Sequence, residues 1–192
     1  MGILPPRRPK LTRAECLGIL DARRITVPAV VGFRGYYQDG MGVPGANDRG
    51  IYDDAIVVIG PAGVFKTYNA NTDPSVSRKG VAVLRPGTYL YKKGVHGLSK
   101  PKPLRYAALV QASEVTVVRD LIGDDTGWFG INIHRGSLTS TSSLGCQTIY
   151  PLQWAEFKAT VYAVLDRSRL TKIPYVLVTE ADRRIIAKAG KL

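Results

Sequence analysis

Two residues of the chain are of types that together perform nucleophilic catalysis, and they lie close in sequence. His134 ends the segment Gly130-Ile-Asn-Ile-His134, and Cys146 follows twelve residues later in Ser143-Leu-Gly-Cys146. A cysteine nucleophile needs a base for its proton and N–H donors for the oxyanion that forms on its substrate. Gly145 permits a sharp turn that uncovers backbone N–H groups beside the sulfur, and an imidazolium near Cys146 would lower the pKa of the thiol.

Each of these residues also has an ordinary structural explanation. A lone cysteine is most often a small buried hydrophobic side chain, and a lone histidine is commonly a hydrogen-bonded structural residue. Spacing alone therefore leaves a catalytic pair and two structural residues both open. The other histidine, His96 in Gly94-Val-His-Gly97, either lines the same cleft or belongs to a surface loop.

The elements that must position these residues are mostly strands. In a strand over residues 129–134, Ile131 and Ile133 would share the core face, while Asn132 and His134 would share the opposite face. Runs rich in β-branched and aromatic residues, bounded by glycine and proline, predict the other strands. These predicted strands cover residues 29–37, 55–59, 64–68, 80–84, 88–92, 115–119 and 173–179.

Two helices are predicted from their start signals. Thr12-Arg-Ala-Glu15 has the capping-box spacing and predicts a short helix over 13–22, and Pro151 at the first helical position predicts a longer one over 151–167. Many short strands with two helices favour a mainly-β fold, a sandwich or barrel with one or two peripheral helices. We interpret residues 1–192 as one domain with a basic helical extension (about 1–25) and a basic C-terminal tail (about 181–192).

Composition excludes several classes of protein and site. With two cysteines and two histidines, the chain has too few ligands for a disulfide scaffold or a multi-histidine metal centre, so no metal or cofactor is predicted. No apolar run is long enough to span a membrane. The 27 Lys and Arg outnumber the 15 Asp and Glu, which gives a net charge of +12. Residues 78–105 carry eight basic residues and no acidic one, so this block is either a solvated surface or a face for an anionic polymer.

Three further expectations concern the cell and the partners. The N-terminal residues Met1-Gly-Ile-Leu-Pro-Pro-Arg-Arg lack the apolar stretch of a secretory signal, which predicts synthesis in the cytoplasm without one. Nucleic acid is not an expected partner, because neither a zinc finger nor an RNP-type aromatic motif is present. Cys16 is predicted to be structural, although a Cys16–Cys146 disulfide in an oxidising compartment would block the chemistry.

The pattern around the candidate pair resembles the catalytic domain of the L,D-transpeptidase family. That family has an apolar strand ending in histidine, followed by Ser-His-Gly-Cys, and here Gly130–Gly136 and Ser143–Cys146 are similar. Arg85-Pro-Gly-Thr-Tyr89 is similar to the Thr-Pro-x-Gly-x-Phe/Tyr strand of the family, and the predicted helix and last strand follow in the expected order. The resemblance covers roughly residues 50–180 and implies an L,D-transpeptidase-like sandwich or barrel.

The resemblance also implies roles for individual residues. Cys146 would be the nucleophile, His134 its base, Ser143 the residue that orders the loop, and the amides of Gly145 and Cys146 the oxyanion hole. Four further residues near the motif are candidate substrate contacts, namely His96, Asn132, Arg135 and Gln147. Two departures bear on these roles. Leu144 replaces the second histidine of the family motif, and Gln147-Thr148 replaces an apolar residue and an arginine.

The function implied by the resemblance is chemistry on peptidoglycan stem peptides through a Cys146 acyl-enzyme. The absent signal and the positive charge favour hydrolysis by a phage endolysin-like enzyme or an injected effector, which reaches the cell wall or periplasm after release. The basic face would then meet stem-peptide carboxylates, anionic wall polymers or lipopolysaccharide. The alternatives are an L,D-transpeptidase that forms or exchanges crosslinks, and a non-catalytic wall-binding or virion protein.

Overall fold

Eleven strands and three α-helices form within residues 2–189, the part of the chain that the computed structural model describes. The strands are β1 (Ala29–Arg34), β2 (Asp54–Ile59), β3 (Phe65–Asn71), β4 (Ala82–Leu84), β5 (Gly87–His96), β6 (Tyr106–Gln111), β7 (Val115–Arg119), β8 (Gly123–Gly127), β9 (Ile133–Arg135), β10 (Gln147–Ile149) and β11 (Lys172–Thr179). The helices are α1 (Arg13–Ala22), α2 (Pro151–Arg167) and α3 (Glu180–Ala189), and a single 3-10 turn covers Lys102–Leu104.

Eight of the strands close into a barrel in the order β1-β11-β5-β6-β9-β10-β3-β2. Two seams of this barrel are parallel, β1 with β11 and β9 with β10, and the others are antiparallel. The remaining strands form a separate antiparallel sheet in the order β4-β7-β8. The chain is therefore mainly β, as its many short apolar runs predict.

Strands β1, β2 and β11 are buried on both faces, which explains their nearly continuous apolar sequences. One face, with Val30 and Leu177 among its side chains, belongs to the core inside the barrel. The other face, with Val31 and Val178, belongs to a second core that also contains Ile19 of α1. Helix α3 contacts α1 and this same side of the sheet. These three strands thus form a wall of the barrel that is buried on both faces.

Helix α2 packs on the inner core and contacts β2, β3, β9 and β10. Its apolar stripe, Trp154, Phe157, Val161 and Leu165, is buried in the inner core, where Phe157 packs edge-on against Tyr68 of β3 with ring centroids 5.3 Å apart. Pro151 occupies the start of the helix, as predicted. Among the helices of residues 2–189, none has both the length and the apolar character needed to cross a membrane.

The predicted and observed elements differ in several places, two of which matter most. Three helices are present rather than one or two, because part of the predicted basic tail at about 181–192 forms α3. Thr179 and Asp182 make a reciprocal pair of side chain to backbone bonds at the start of α3. The predicted strand over 129–134 is also too long, since β9 begins only at Ile133.

The shortened strand has a physical cause. The amides of Phe129 and Ile131 donate to Oε1 of Gln111 at 3.2 and 3.1 Å instead of to a neighbouring strand. Between them Gly130 has a φ of +70°, which is incompatible with a β-strand. Residues 129–132 therefore form an irregular segment held by one side chain, and it is this segment that borders the candidate site.

Two adjacent buried carboxyl groups, Asp53 and Asp54, lie at the start of β2. Asp54 accepts hydrogen bonds from the amides of Gly35 and Thr72, both at 2.5 Å. Asp53 accepts one from the amide of Asp48 at 2.8 Å, but its Oδ1 has no partner. Burial, above all, raises the pKa of both groups, and their mutual repulsion raises that of Asp53 further.

This pair predicts a pH dependence of stability. A carboxyl whose pKa is raised on folding contributes stability that is complete below its ordinary pKa of 3.8 and is lost as the pH rises through the folded value. We expect Asp53→Asn to keep an acceptor for the Asp48 amide and to remove the buried charge. Its free energy of unfolding in urea should exceed that of wild type by about 1–3 kcal/mol at pH 8, and the gain should shrink toward pH 4.

The matched control is Asp124→Asn, which removes the same charge from an exposed carboxylate that pairs with Arg85 at 2.5 Å. This control should change stability by less than about 1 kcal/mol. An Asp53→Asn protein that is less stable than wild type at pH 8 would show that the ionised carboxylate is favourable in the fold.

Candidate active site

The parallel pairing of β9 with β10 brings the two candidate catalytic residues together. Its register places Thr148 opposite His134, and the Gln147 amide donates to the carbonyl of Asn132 at 2.8 Å. Cys146 immediately precedes β10 and so lies beside the residues that precede and begin β9. One ligand atom each from Cys146, His134 and His96 lie within 4.8 Å of one another.

The sulfur of Cys146 rests against the irregular segment 129–132. The Asn132 amide donates to Sγ at 3.4 Å, and the thiol donates to the carbonyl of Gly130, also at 3.4 Å. Cys146 is half-buried rather than sealed inside the core. The sulfur is therefore held in one position while part of the residue remains open to solvent.

Gly145 and Ser143 shape the turn that presents Cys146. Gly145 has a φ of +139°, and a Cβ there would lie 2.7 Å from the carbonyl oxygen of Ala82, so only glycine fits. Ser143 is buried, donates to the Cys146 carbonyl at 2.6 Å and accepts from the Gly145 amide at 3.0 Å. Ser143 thus orders the loop in the way that the resemblance implies.

The hydrogen bonds of this turn differ from the role that we expected for Gly145. The Gly145 amide is occupied by Ser143 Oγ and does not face the cleft as an oxyanion donor. Of the two amides assigned to the oxyanion hole, that of Cys146 is the one left for a substrate carbonyl. The contribution of Gly145 is therefore steric: it lets the chain pass close to Ala82.

The ring of His134 is fixed by a backbone carbonyl. Its Nδ1 lies 2.8 Å from the oxygen of Arg135, and because a carbonyl only accepts, Nδ1 must carry the proton. The hydroxyl of Tyr106 donates to the same carbonyl at 3.2 Å and lies 3.1 Å from Nδ1. The other ring nitrogen, Nε2, is then unprotonated and able to accept a proton from the thiol.

Burial sets the protonation states of the pair. It lowers the pKa of His134 to about 3, with a further contribution from His96, and raises the pKa of the Cys146 thiol to about 11. At neutral pH the resting pair is therefore a thiol and a neutral imidazole. The expectation of a thiol pKa lowered by an imidazolium is wrong for this structure, because desolvation outweighs the other effects on both groups.

Two open grooves lie on either side of the segment 129–132 and share Phe129 in their walls. The first has a volume of about 660 Å³ and includes His96, Asn132 and Lys100 in its lining. The second has a volume of about 510 Å³ and includes Ile131 and Leu144. Both are basic, since Lys92, Lys93 and Lys100 line the first and Arg78, Lys79 and Arg119 line the second.

The four candidate substrate contacts fall in different places. Asn132 and His96 line the first groove and contact each other. Arg135 is exposed, with its guanidinium 5.4 Å from the centroid of the Tyr106 ring. Gln147 is fully buried and bonded at both ends, to the hydroxyl of Tyr175 and the carbonyl of Gly145, which rules it out as a substrate contact.

Sequence reasoning missed two residues that hold the site together. Tyr106 and Gln111 are the first and last residues of β6, a strand that we did not predict. Besides accepting from the segment 129–132, Gln111 donates to the carbonyls of Ser113 and Gly127 at 3.0 and 2.8 Å. Both residues act over long sequence distances, so no local spacing could have indicated them.

Three side chains of the site, those of His96, His134 and Cys146, are the one group within residues 2–189 whose potential ligand atoms lie close enough together to hold a metal ion. A metal bound by all three would need an unprotonated nitrogen from each histidine. His134 offers Nε2, but Nδ1 of His96 lies 3.3 Å from the amide nitrogen of Asn132. A metal would have to displace either that contact or the proton on the other nitrogen, so the arrangement fits a cysteine–histidine pair better.

The second cysteine is remote from this chemistry. Cys16 is fully buried in the second core, on the outer face of β1, β2 and β11, where Ile19 and Phe33 also lie. Both cysteines are free thiols in the structure. The packing of Cys16 is that of a small apolar side chain, which agrees with the structural role predicted for it.

Comparison with protein-family models, with curated proteins and with solved structures finds no significant match to this chain. The function must therefore be argued from the site itself.

The protonation states predict how the thiol reacts. Because the pKa of Cys146 is about 11, its thiolate fraction should rise about tenfold per pH unit from pH 6.5 to 9.5, with no plateau near neutrality. The rate of carbamidomethylation by iodoacetamide, followed by mass spectrometry of the Cys146 peptide, measures this directly. Cys16, whose pKa is raised to about 12, should stay unmodified until the protein is unfolded in urea.

His134→Ala provides the control for this profile. If the resting pair is neutral, this variant should keep the slope of the wild-type profile. A wild-type rate that is already constant at pH 7, and that falls in His134→Ala, would instead indicate a thiolate–imidazolium pair.

The turn predicts a stability effect at Gly145. Gly145→Ala must both adopt a strained φ and push against the Ala82 carbonyl, so we expect it to lower the free energy of unfolding by about 2–4 kcal/mol. Gly123→Ala is the matched control, because Gly123 has a φ of +113° but a Cβ there would have no atom within 4 Å. Urea titration followed by tryptophan fluorescence should show a clearly smaller loss for Gly123→Ala; equal losses would contradict the close approach.

Proposed function

We propose that this chain is a cysteine-dependent amide hydrolase that acts on peptidoglycan stem peptides through an acyl-enzyme on Cys146. The observation that carries the proposal is the proximity of the Cys146 sulfur to the His134 imidazole, whose tautomer leaves Nε2 free to act as a base. The likeness of the surrounding sequence to the L,D-transpeptidase motif supplies the substrate class. The setting that we propose is a lytic, endolysin-like enzyme that reaches the wall after release.

Acylation follows from the resting protonation states. As Sγ of Cys146 attacks the carbonyl carbon of the scissile amide, its proton passes to Nε2 of His134. The oxyanion of the tetrahedral intermediate accepts a hydrogen bond from the Cys146 amide. When the C–N bond breaks, His134 returns the proton to the leaving nitrogen and a thioester remains on Cys146.

The low pKa of His134 assists the second half of this step. Burial disfavours the imidazolium, so the ring is a weak base but a strong acid once it holds the proton. It therefore delivers the proton readily to the leaving nitrogen. In deacylation, water loses a proton to Nε2 as it attacks the thioester, the C–S bond breaks, and His134 reprotonates the sulfur.

The charge of the grooves fits an anionic substrate. Stem peptides carry free carboxylates, and the basic block 78–105 contributes five of the six basic residues that line the two grooves. Lys93 is already paired with Asp166, and Arg119 with Asp125. The other four basic residues of the grooves form no ion pair among the described residues, and we propose them as partners of the substrate carboxylates: Arg78 and Lys79 in the second groove, and Lys92 and Lys100 in the first.

A specific observation favours a second candidate activity, transfer to an amine. Two grooves flank the segment 129–132, whose Gly130 carbonyl and Asn132 amide contact the Cys146 sulfur, so an acyl donor in one and an acceptor peptide in the other would lie on opposite sides of this segment. The same thioester would then be resolved by an amine in place of water, which is transpeptidation.

The experiment is incubation of purified diaminopimelate-type peptidoglycan with wild type and with Cys146→Ala, followed by mass spectrometry of the products. We expect new peptide termini with wild type, a loss of at least about 1000-fold in Cys146→Ala, and an unchanged product pattern in Cys16→Ala. Chelation of metals with EDTA should leave the wild-type rate unaltered.

Three results would change the conclusion. Crosslinked products, or exchange of a terminal D-amino acid, would favour transfer over hydrolysis. Equal binding of wild type and Cys146→Ala to the wall without any product would leave the non-catalytic wall-binding protein. Loss of activity with EDTA would indicate a metal at the three-residue cluster.

A further inference from the structure

The last residue of β5, His96, lies against the catalytic pair, although the mechanism above gives it no role. Its ring stacks on that of His134, with centroids 3.9 Å apart and planes inclined by 21°. One of its nitrogens lies within 4.8 Å of both the Cys146 sulfur and a His134 nitrogen. A second imidazole so close to the reacting atoms has a chemical role that depends on which nitrogen carries its proton.

The orientation of Asn132 decides that question. The backbone amide of Gln111, which can only donate, lies 3.2 Å from Oδ1 of Asn132. The oxygen of the side-chain amide must therefore face Gln111, and its nitrogen faces His96. Gln111 cannot shift to relax this constraint, because its own side chain is bonded to Ser113, Gly127, Phe129 and Ile131.

The contact between Asn132 and His96 then fixes the tautomer of His96. Nδ2 of Asn132 is a donor and lies 3.3 Å from Nδ1 of His96, so Nδ1 must be unprotonated. Burial and the nearby Lys100 lower the pKa of His96, which keeps the ring neutral. A neutral imidazole with a bare Nδ1 carries its proton on Nε2, so the ring retains one N–H donor beside the Cys146 sulfur, which lies within 4.8 Å of one ring nitrogen.

The two stacked rings thus hold opposite tautomers. His134 donates through Nδ1 to the Arg135 carbonyl and presents a bare Nε2, while His96 accepts at Nδ1 and presents an N–H at Nε2. The first ring is equipped to take a proton and the second to give a hydrogen bond. Neighbouring groups whose surroundings divide acid and base roles in this way are typical of catalytic sites.

We propose that His96 is a catalytic residue that stabilises the oxyanion through its Nε2–H, together with the amide of Cys146. This assignment rests on the proposed function and supplies the donor that Gly145, bonded to Ser143, does not provide. No proton leaves His96 at any step. Its hydrogen bond to the carbonyl oxygen strengthens as negative charge forms, and the proton moves only from Cys146 to His134 and on to the leaving nitrogen.

Activity of two variants tests the role. His96→Leu removes the donor, and we expect kcat to fall by about 100- to 1000-fold with little change in KM, because the bond matters only in the transition state. His96→Gln places an acceptor near Asn132 and an N–H near the cleft, so it should recover most of that loss. The ratio of wild-type to His96→Leu activity should stay constant between pH 7.5 and 9, because the pKa of His96 is lowered from its ordinary value of 6.5.

The tautomer is measured without any substrate. The chain has two histidines, so long-range ¹H–¹⁵N correlation spectra of the labelled protein should contain one Nδ1–H and one Nε2–H ring, and His96→Gln identifies which is which. We expect the Nε2–H form for His96. In Asn132→Leu, which removes the fixed donor, His96 should lose this single-tautomer signature.

The outcomes separate this assignment from the proposed function. An Nδ1–H tautomer of His96, or turnover of His96→Leu equal to wild type while Cys146→Ala is inactive, would overturn the assignment alone. Equal loss in His96→Gln and His96→Leu would also overturn it, since a purely packing role or a base role predicts no rescue. No Cys146-dependent product at all would overturn the proposed function, and the assignment with it.

Discussion

The site depends on a short parallel contact between β9 and β10. Parallel strands run in the same direction, so the start of one lies beside the start of the other, and the eleven residues between His134 and Cys146 must cross back over the surface to allow it. The crossing loop ends in a turn that is held by the hydrogen bond from Ser143 to the Cys146 carbonyl. Only glycine fits at position 145 of this turn, because the Ala82 carbonyl lies too close for a Cβ.

Desolvation gives the site its second constraint. The surroundings that hold His134 and Cys146 in place also remove water from them, so both groups rest in their uncharged forms. In the proposed reaction, charge forms only while the substrate is bound, and it must be stabilised by groups that are already in place. The Gln111 amide donates to Asn132, and Asn132 donates to His96. These two hydrogen bonds allow only one orientation of the Asn132 side chain and one tautomer of His96, so the proposed oxyanion donor is already in place.

Local signals predicted the parts of the fold that local forces determine. The capping box at Thr12 and the proline at Pro151 predicted α1 and α2, and apolar runs predicted most of the barrel strands, of which β1, β2 and β11 are buried on both faces. The same kind of signal was present at Thr179 and Asp182 and would have predicted α3. Spacing indicated the cysteine and the histidine as a candidate pair but left a structural role open, and the serine was indicated by the resemblance to the L,D-transpeptidase motif. What spacing could not show is the control exerted by Tyr106 and Gln111, which reach the site from a strand paired across the barrel, or the burial that sets the protonation of the pair.

The seams of the barrel differ in length, and the shortest ones border the site. Strand β5 pairs with β6 over six residue pairs, whereas β6 meets β9 at the single pair Leu109–Ile133 and β10 meets β3 at two. Strands β9 and β10 are therefore held by fewer interstrand hydrogen bonds than β1, β2 and β11, and local opening of the barrel is expected there first. A ligand that contacts both grooves would add bonds across this seam, so binding of the proposed substrate would reduce local opening beside Cys146 and His134.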